Sequence, residues 1–135
     1  MVELVWDATR RGTGRTASGA SLAVGEDAHF SPADLVSLAA ASCLMKTFLE
    51  LVEAANVPLL SYLSAAELAD DKEPGGRSRV RVRAYITTTS EDDRRQLEGL
   101  VARAHAASPI GCLLGDRLDV VAEFLVFPGS ARGAS

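Results

Sequence analysis

The segment that most limits what this chain can become runs from Ser31 to Pro58. Ser31-Pro32-Ala33-Asp34 reads as a helix start, with a serine N-cap, a proline at the first helical position and an acid completing a capping box. The pattern predicts a helix to about Ala55, ended by Val57-Pro58. From Ala39 to Leu44 every residue is small or apolar, so no face of that stretch suits water. Such a helix is expected to be buried on most sides, and the rest of the chain must supply the cover.

Sequence on both sides of it reads as strand. Val2 to Trp6 is a short strand, followed by Arg10-Arg11-Gly12-Thr13-Gly14 as a tight basic turn whose glycines permit positive φ. Arg15 to Val24 reads as a second strand interrupted at Ser18-Gly19, closed by Gly25-Glu26-Asp27. After the helix, Leu60 to Ala69 is a weakly alternating strand, and the charged stretch from Asp70 to Gly76 turns it into the next. Arg77 to Thr88 alternates cleanly, with Val80, Val82, Ala84 and Ile86 on one face and Arg79, Arg81, Arg83 and Tyr85 on the other. The apolar face should cover the long helix, and the arginine stripe is a solvated sheet face.

Ser90-Glu91-Asp92-Asp93 opens a second, amphipathic helix through Leu97, Leu100, Val101 and Ala104. Ser108-Pro109 starts a short helix ending at Gly115, and Leu118 to Phe127 is the last strand. The order ββ-α-ββ-α-(short α)-β is α+β, with helices packed on largely antiparallel sheet. A chain of 135 residues, 47% of them hydrophobic, suits one domain over residues 1–128, with a small, polar and disordered tail over 129–135.

Charge excludes one class of partner. The net charge of −4 argues against nucleic acid, whose phosphates require a basic surface. No run of 18 apolar residues without charge appears, so no membrane span is expected. The acidic, strand-like start lacks a signal-peptide pattern, and two cysteines without CxxC spacing suit a reducing cytoplasm.

Those cysteines are the candidates for chemistry. Cys43 lies on the long helix, where it is either an apolar space-filler or a reactive thiol with Lys46 nearby to favour the thiolate. Cys112 lies about one turn into the short helix, where unpaired N–H groups favour negative charge; a contact beside Leu113 and Leu114 is the alternative. His29 and His105 have no ligand at zinc-like spacing, so neither a metal nor a cofactor is expected. Gly12-Thr13-Gly14 is too short for a phosphate loop, but a turn built on two glycines can hold Arg10 and Arg11 rigidly.

Three segments in order give the chain a resemblance to the OsmC/Ohr family of peroxide-detoxifying thiol proteins. They are Trp6 with Arg10 to Gly14 and Ser18-Gly19; Ser31 to Leu35 leading to Ala40-Ala41-Ser42-Cys43; and Ala104 to Gly111 before the final strand. The resemblance implies an intertwined homodimer with long central helices buried between sheets from both subunits. It implies Cys43 as the peroxidatic nucleophile, Arg10 or Arg11 as the arginine that stabilises thiolate and peroxide, and a dithiol as final reductant. Organic hydroperoxides would be the substrates. The chain departs from the family twice. The family carboxylate aligns with Ala33, leaving Asp34 adjacent but turned about 100° around the helix. The family's second cysteine aligns with Ser108, and Cys112 comes one turn later, so Cys112 can resolve Cys43 only if the short helix moves. Otherwise an external thiol reduces the sulfenic acid. The rival expectation is an OsmC-fold protein that binds a small apolar molecule at its dimer interface without catalysis.

Overall fold

The structure, a computed structural model, describes residues 1–26, 29–70 and 77–128. The expected turn over 70–76 lies almost wholly outside them, as does the expected tail over 129–135. The chain forms two compact units, Met1–Val36 and a second from Ser37 onward.

The first unit is an antiparallel sheet of three strands in the order β1 (Val2–Trp6), β2 (Arg11–Thr16) and β3 (Ser21–Gly25). Two expectations are corrected here. The basic Arg10-to-Gly14 segment is not a turn: Arg11 to Gly14 already belong to β2, and the reversal is made one step earlier, through Asp7 to Arg10. Gly12 serves close approach instead of positive φ, since a Cβ there would lie 2.8 Å from the Val5 carbonyl oxygen. The expected strand over 15–24 is two strands, because Ser18-Gly19 is a hairpin turn and not an interruption. Gly19 has φ of 99°, Thr16 and Ala20 close the hairpin at 2.9 Å, and the Thr16 hydroxyl accepts from the Ala20 N–H at 3.0 Å.

Helix α1 spans Pro32–Ala55 and begins with the expected reciprocal cap: Ser31 Oγ accepts from Asp34 N–H and Asp34 Oδ2 from Ser31 N–H, both at 3.1 Å. By length and composition α1 could cross a membrane, with a mean hydropathy of 1.7. Its Ala40, Leu44, Phe48 and Val52, however, are buried in the core of the second unit. Burial on most sides is not met among the described residues of one chain. The stripe Ser37, Ala40, Ala41, Leu44, Phe48, Val52 is buried at helical spacing, while Leu38, at 47% exposure, and Met45 face outward. One three-stranded sheet supplies cover for one side of a helix only.

That sheet has the order β4 (Ser61–Ala69), β5 (Arg79–Thr88), β6 (Leu118–Val126), with β4 antiparallel and β6 parallel to the central β5. Val80, Val82, Ala84 and Ile86 of β5 are buried as the alternation requires. The parallel partner needs a crossover, provided by α2 (Glu91–Ala107) and α3 (Pro109–Leu114). Ser90 caps α2 by accepting from Asp93 N–H at 3.1 Å, and Leu97 and Ala104 enter the core. On the outer face Arg79 meets Asp119 and Arg83 meets Glu123, each at 3.3 Å, a solvated ladder of cross-strand pairs.

Tyr62 of β4 packs its ring 5.5 Å from Phe48, and its hydroxyl is buried with no hydrogen bond of good geometry among the described residues. Desolvation pushes the phenol up from its ordinary value of 10.0, with Ser64 opposing. A raised pKa means stability present below about pH 10 and lost as pH climbs through the folded value. Tyr62→Phe is therefore expected to keep or raise the unfolding free energy by up to about 1 kcal/mol at neutral pH. It should also lessen the loss of stability above about pH 10, read by denaturant titrations at pH 8 and 10.5.

Candidate functional site

The β1–β2 turn places the two candidate arginines. Ala8 takes φ of 73°, and Asp7 Oδ1 stabilises the reversal by accepting from both the N–H of Thr9, at 2.9 Å, and its hydroxyl. The Thr9 hydroxyl is the main reason the Asp7 carboxyl lies below its ordinary 3.8, and the charge of Arg11 pulls the same way. Trp6 Nε1 closes the turn on the Thr9 carbonyl. Arg10 is exposed and pairs with Glu26 at 3.0 Å, whereas Arg11 is half-buried as the first residue of β2. Gly25, with φ of 121°, passes so close that a Cβ there would lie 2.8 Å from Arg11 Cα and closer still to the Arg10 carbonyl oxygen. One face of this unit is an open groove of about 750 Å³, walled by Val2, Leu4, Trp6, Leu22, Val24 and Leu35, with Arg10 and Arg11 also lining it.

The thiols belong to the second unit. Cys43 is half-buried on α1 beside the core residues Ala40 and Leu44, and Lys46 one turn on is exposed. Its sulfur receives a hydrogen bond from Ser108 Oγ at 3.0 Å. Ser108 is only 1% exposed and stands at the junction of two helices. Its N–H closes α2 on Ala104 at 2.8 Å, and its Oγ caps α3 by accepting from Gly111 N–H at 3.3 Å. An oxygen that accepts from Gly111 on a side chain only 1% exposed directs its one proton at sulfur. Gly111 is needed at this junction: a Cβ there would lie 3.1 Å from the His105 carbonyl oxygen and 3.3 Å from Leu118 and Ser108.

The sequence thus singled out two cysteines, and the fold brings one of them, Cys43, against Ser108 instead of Cys112. Cys112 is exposed, with its Sγ donating to the Ala106 carbonyl at 3.4 Å. It stands one turn into α3, as read from the sequence, and its own N–H bonds the Ser108 carbonyl at 2.8 Å. Asp34 is engaged in capping α1. Among the described residues no three His, Cys, Asp or Glu side chains group as metal ligands. Ser108 as the sulfur's partner was missed: in the sequence it reads only as a helix cap, and the signal for more was its alignment with the family's second thiol.

Comparison with known proteins agrees with this architecture. The chain matches the family described as OsmC-like protein over residues 25–123. No curated protein sequence matches it significantly. Among solved structures it is similar to an OsmC-like protein of unknown function from Vibrio cholerae, with a TM-score of 0.74, 20% identity, and 93% of this chain and 97% of that one covered. An organic hydroperoxide resistance protein OsmC from Legionella pneumophila gives 0.70 at 20% identity, covering 93% and 96%. The organic hydroperoxide resistance protein OhrB of Bacillus subtilis gives 0.65 at 17% identity, covering 93% and 98%. These likenesses concern the fold, α+β with two small sheets and three helices, and the family match extends over most of the sequence: the chain belongs to the OsmC-like family.

Proposed function

We propose that this protein is a thiol-dependent peroxidase that reduces organic hydroperoxides at Cys43, working as a cytoplasmic homodimer. The observation that carries the reading is the Cys43 sulfur, half-buried and held by a hydroxyl donor at 3.0 Å, in a chain of a family with hydroperoxide-resistance members. In the step proposed, the Cys43 thiolate attacks one peroxide oxygen. An S–O bond forms, the O–O bond breaks, sulfur is oxidised by two electrons to sulfenic acid, and the departing alkoxide takes a proton to leave as alcohol. Arg10 or Arg11 would neutralise that developing charge. Cys112 is the chain's other thiol, and joining it to Cys43 would require α3 to move. A dithiol donor is the proposed source of the reducing electrons.

The homodimer part of the proposal is supported by apolar surface that the described residues of one chain leave open. Leu38 and Met45 on α1, and Leu4 and Trp6 on β1, are exposed apolar residues of a kind that a second copy would cover. The two units are read together as one OsmC-like domain, since the family match begins in the first and runs through the second. A second reading, binding of a small apolar molecule without catalysis, is favoured by the apolar walls of the 750 Å³ groove. Consumption of cumene hydroperoxide with dithiothreitol separates the two. Turnover dependent on both protein and thiol is expected; saturable binding of the peroxide without turnover would leave only the second reading. Sedimentation should give twice the chain mass of 14.2 kDa.

A further inference from the structure

We infer that Ser108 makes Cys43 a single-thiol centre: it holds the sulfur in place, and the oxidised sulfur is resolved directly by an external thiol. The inference rests on the peroxidase reading and adds to it the route of reduction.

Three observations point the same way. The side-chain atom nearest in chemistry to a resolving group at Cys43 is the Ser108 hydroxyl, at 3.0 Å. A hydroxyl donates a hydrogen bond to a thiolate or sulfenate, but is not the nucleophile that displaces hydroxide from sulfur to give a disulfide. Cys112 is turned elsewhere, with its thiol on the Ala106 carbonyl and its N–H on the Ser108 carbonyl. Joining Cys112 to Cys43 would take its thiol off the Ala106 carbonyl and set it in competition with the Ser108 hydroxyl for the Cys43 sulfur. Cys43 itself is half-buried in the single chain.

The sequence balances with two equivalents of external thiol. The first thiol sulfur attacks the Cys43 sulfenic sulfur, an S–S bond forms, the S–O bond breaks and water leaves. The second attacks the outer sulfur of this mixed disulfide, releasing Cys43 as thiol and the external pair as disulfide; a dithiol supplies both equivalents from one molecule. Ser108 is a positioning residue in this scheme. Its hydroxyl fixes the direction of the Cys43 sulfur and donates to the leaving oxygen or to the re-formed thiolate.

The test is mass spectrometry of the full-length protein after one equivalent of cumene hydroperoxide, followed by one equivalent of 2-mercaptoethanol and an acid quench before a second thiol can release the adduct. Wild type and Cys112→Ser are both expected to give a 2-mercaptoethanol adduct mapped to Cys43. Ser108→Cys puts a second sulfur where the hydroxyl sits, well inside disulfide reach. That variant should instead form an internal disulfide between positions 43 and 108, with the adduct on Cys43 falling at least about tenfold. A Cys43–Cys112 disulfide in wild type, or loss of the adduct in Cys112→Ser, would overturn the inference and leave the peroxidase reading standing. Absence of any oxidation at Cys43 in all three proteins would overturn the peroxidase reading itself, and the inference with it. Cys112 is exposed, so the Cys112→Ser comparison does not depend on Ser108→Cys folding normally.

Discussion

Cys43→Ser is expected to abolish thiol-dependent reduction of cumene hydroperoxide, lowering the rate on the order of a thousandfold or more. A serine hydroxyl is almost wholly protonated near neutral pH and is a poor nucleophile toward an O–O bond, so the peroxide has no two-electron donor. The substitution is nearly isosteric, and the site tolerates a hydroxyl: the neighbouring Ser108 oxygen can either donate to it or accept from it. Circular dichroism and the unfolding midpoint should therefore stay close to wild type while the rate collapses. Retained activity in the variant would move the chemistry away from Cys43. A parallel loss of fold would mean that the thiol is a packing group. The alkylation rate of wild type with iodoacetamide supplies an independent check, since Cys43 is the cysteine whose labelling should be suppressed by prior peroxide treatment.

The largest effect on stability is expected at Phe48. It is 1% exposed, faces the sheet from the middle of α1, and stacks at a tilt against Tyr62 at 5.5 Å between centroids. Phe48→Ala removes the ring and leaves a cavity between α1 and the sheet that β5 cannot close, because Ile86 and Val82 are fixed in the strand register. The expected cost is about 3–5 kcal/mol, read from denaturant titration. Leu113→Ala is the matching control: Leu113 is 80% exposed in the chain, and its loss should cost within about 0.5 kcal/mol. Titrations should be run at fixed protein concentration, since the proposed dimer would make stability depend on it.

How much of this was legible in the sequence depended on whether the signal was local. The alternation over β5 and the serine caps of α1 and α2 are encoded within one strand or one helical turn, and each appears in the fold as read. Glycine was ambiguous for a physical reason. It marks positive φ at Gly19 and Gly25 but close strand approach at Gly12, and only the β1 partner tells these apart. The parallel pairing of β6 is invisible locally for the same reason: nothing in Leu118–Val126 specifies the direction of its neighbour. The uniform apolarity of α1 signalled a core element but could not say which stripe the sheet of the second unit buries.

The site divides along the same line. Cys43 and the basic Arg10-Arg11 pair stand out in the sequence as residue types, and their shared part in the chemistry is a proposal. The contact between Cys43 and Ser108 joins residues 65 apart in sequence, and it gave Ser108 a second task besides capping. A helix-capping serine can be read from its Pro-Ile-Gly context, but where its proton points is decided by packing.

The most direct test of the account is the mass of position 43 after reduced protein meets one equivalent of cumene hydroperoxide, quenched with a sulfenic-acid trap such as dimedone. The account predicts a dimedone adduct on the peptide carrying Cys43, formed at the rate of peroxide loss and absent without peroxide. A Cys43 that stays a free thiol while peroxide persists would contradict it.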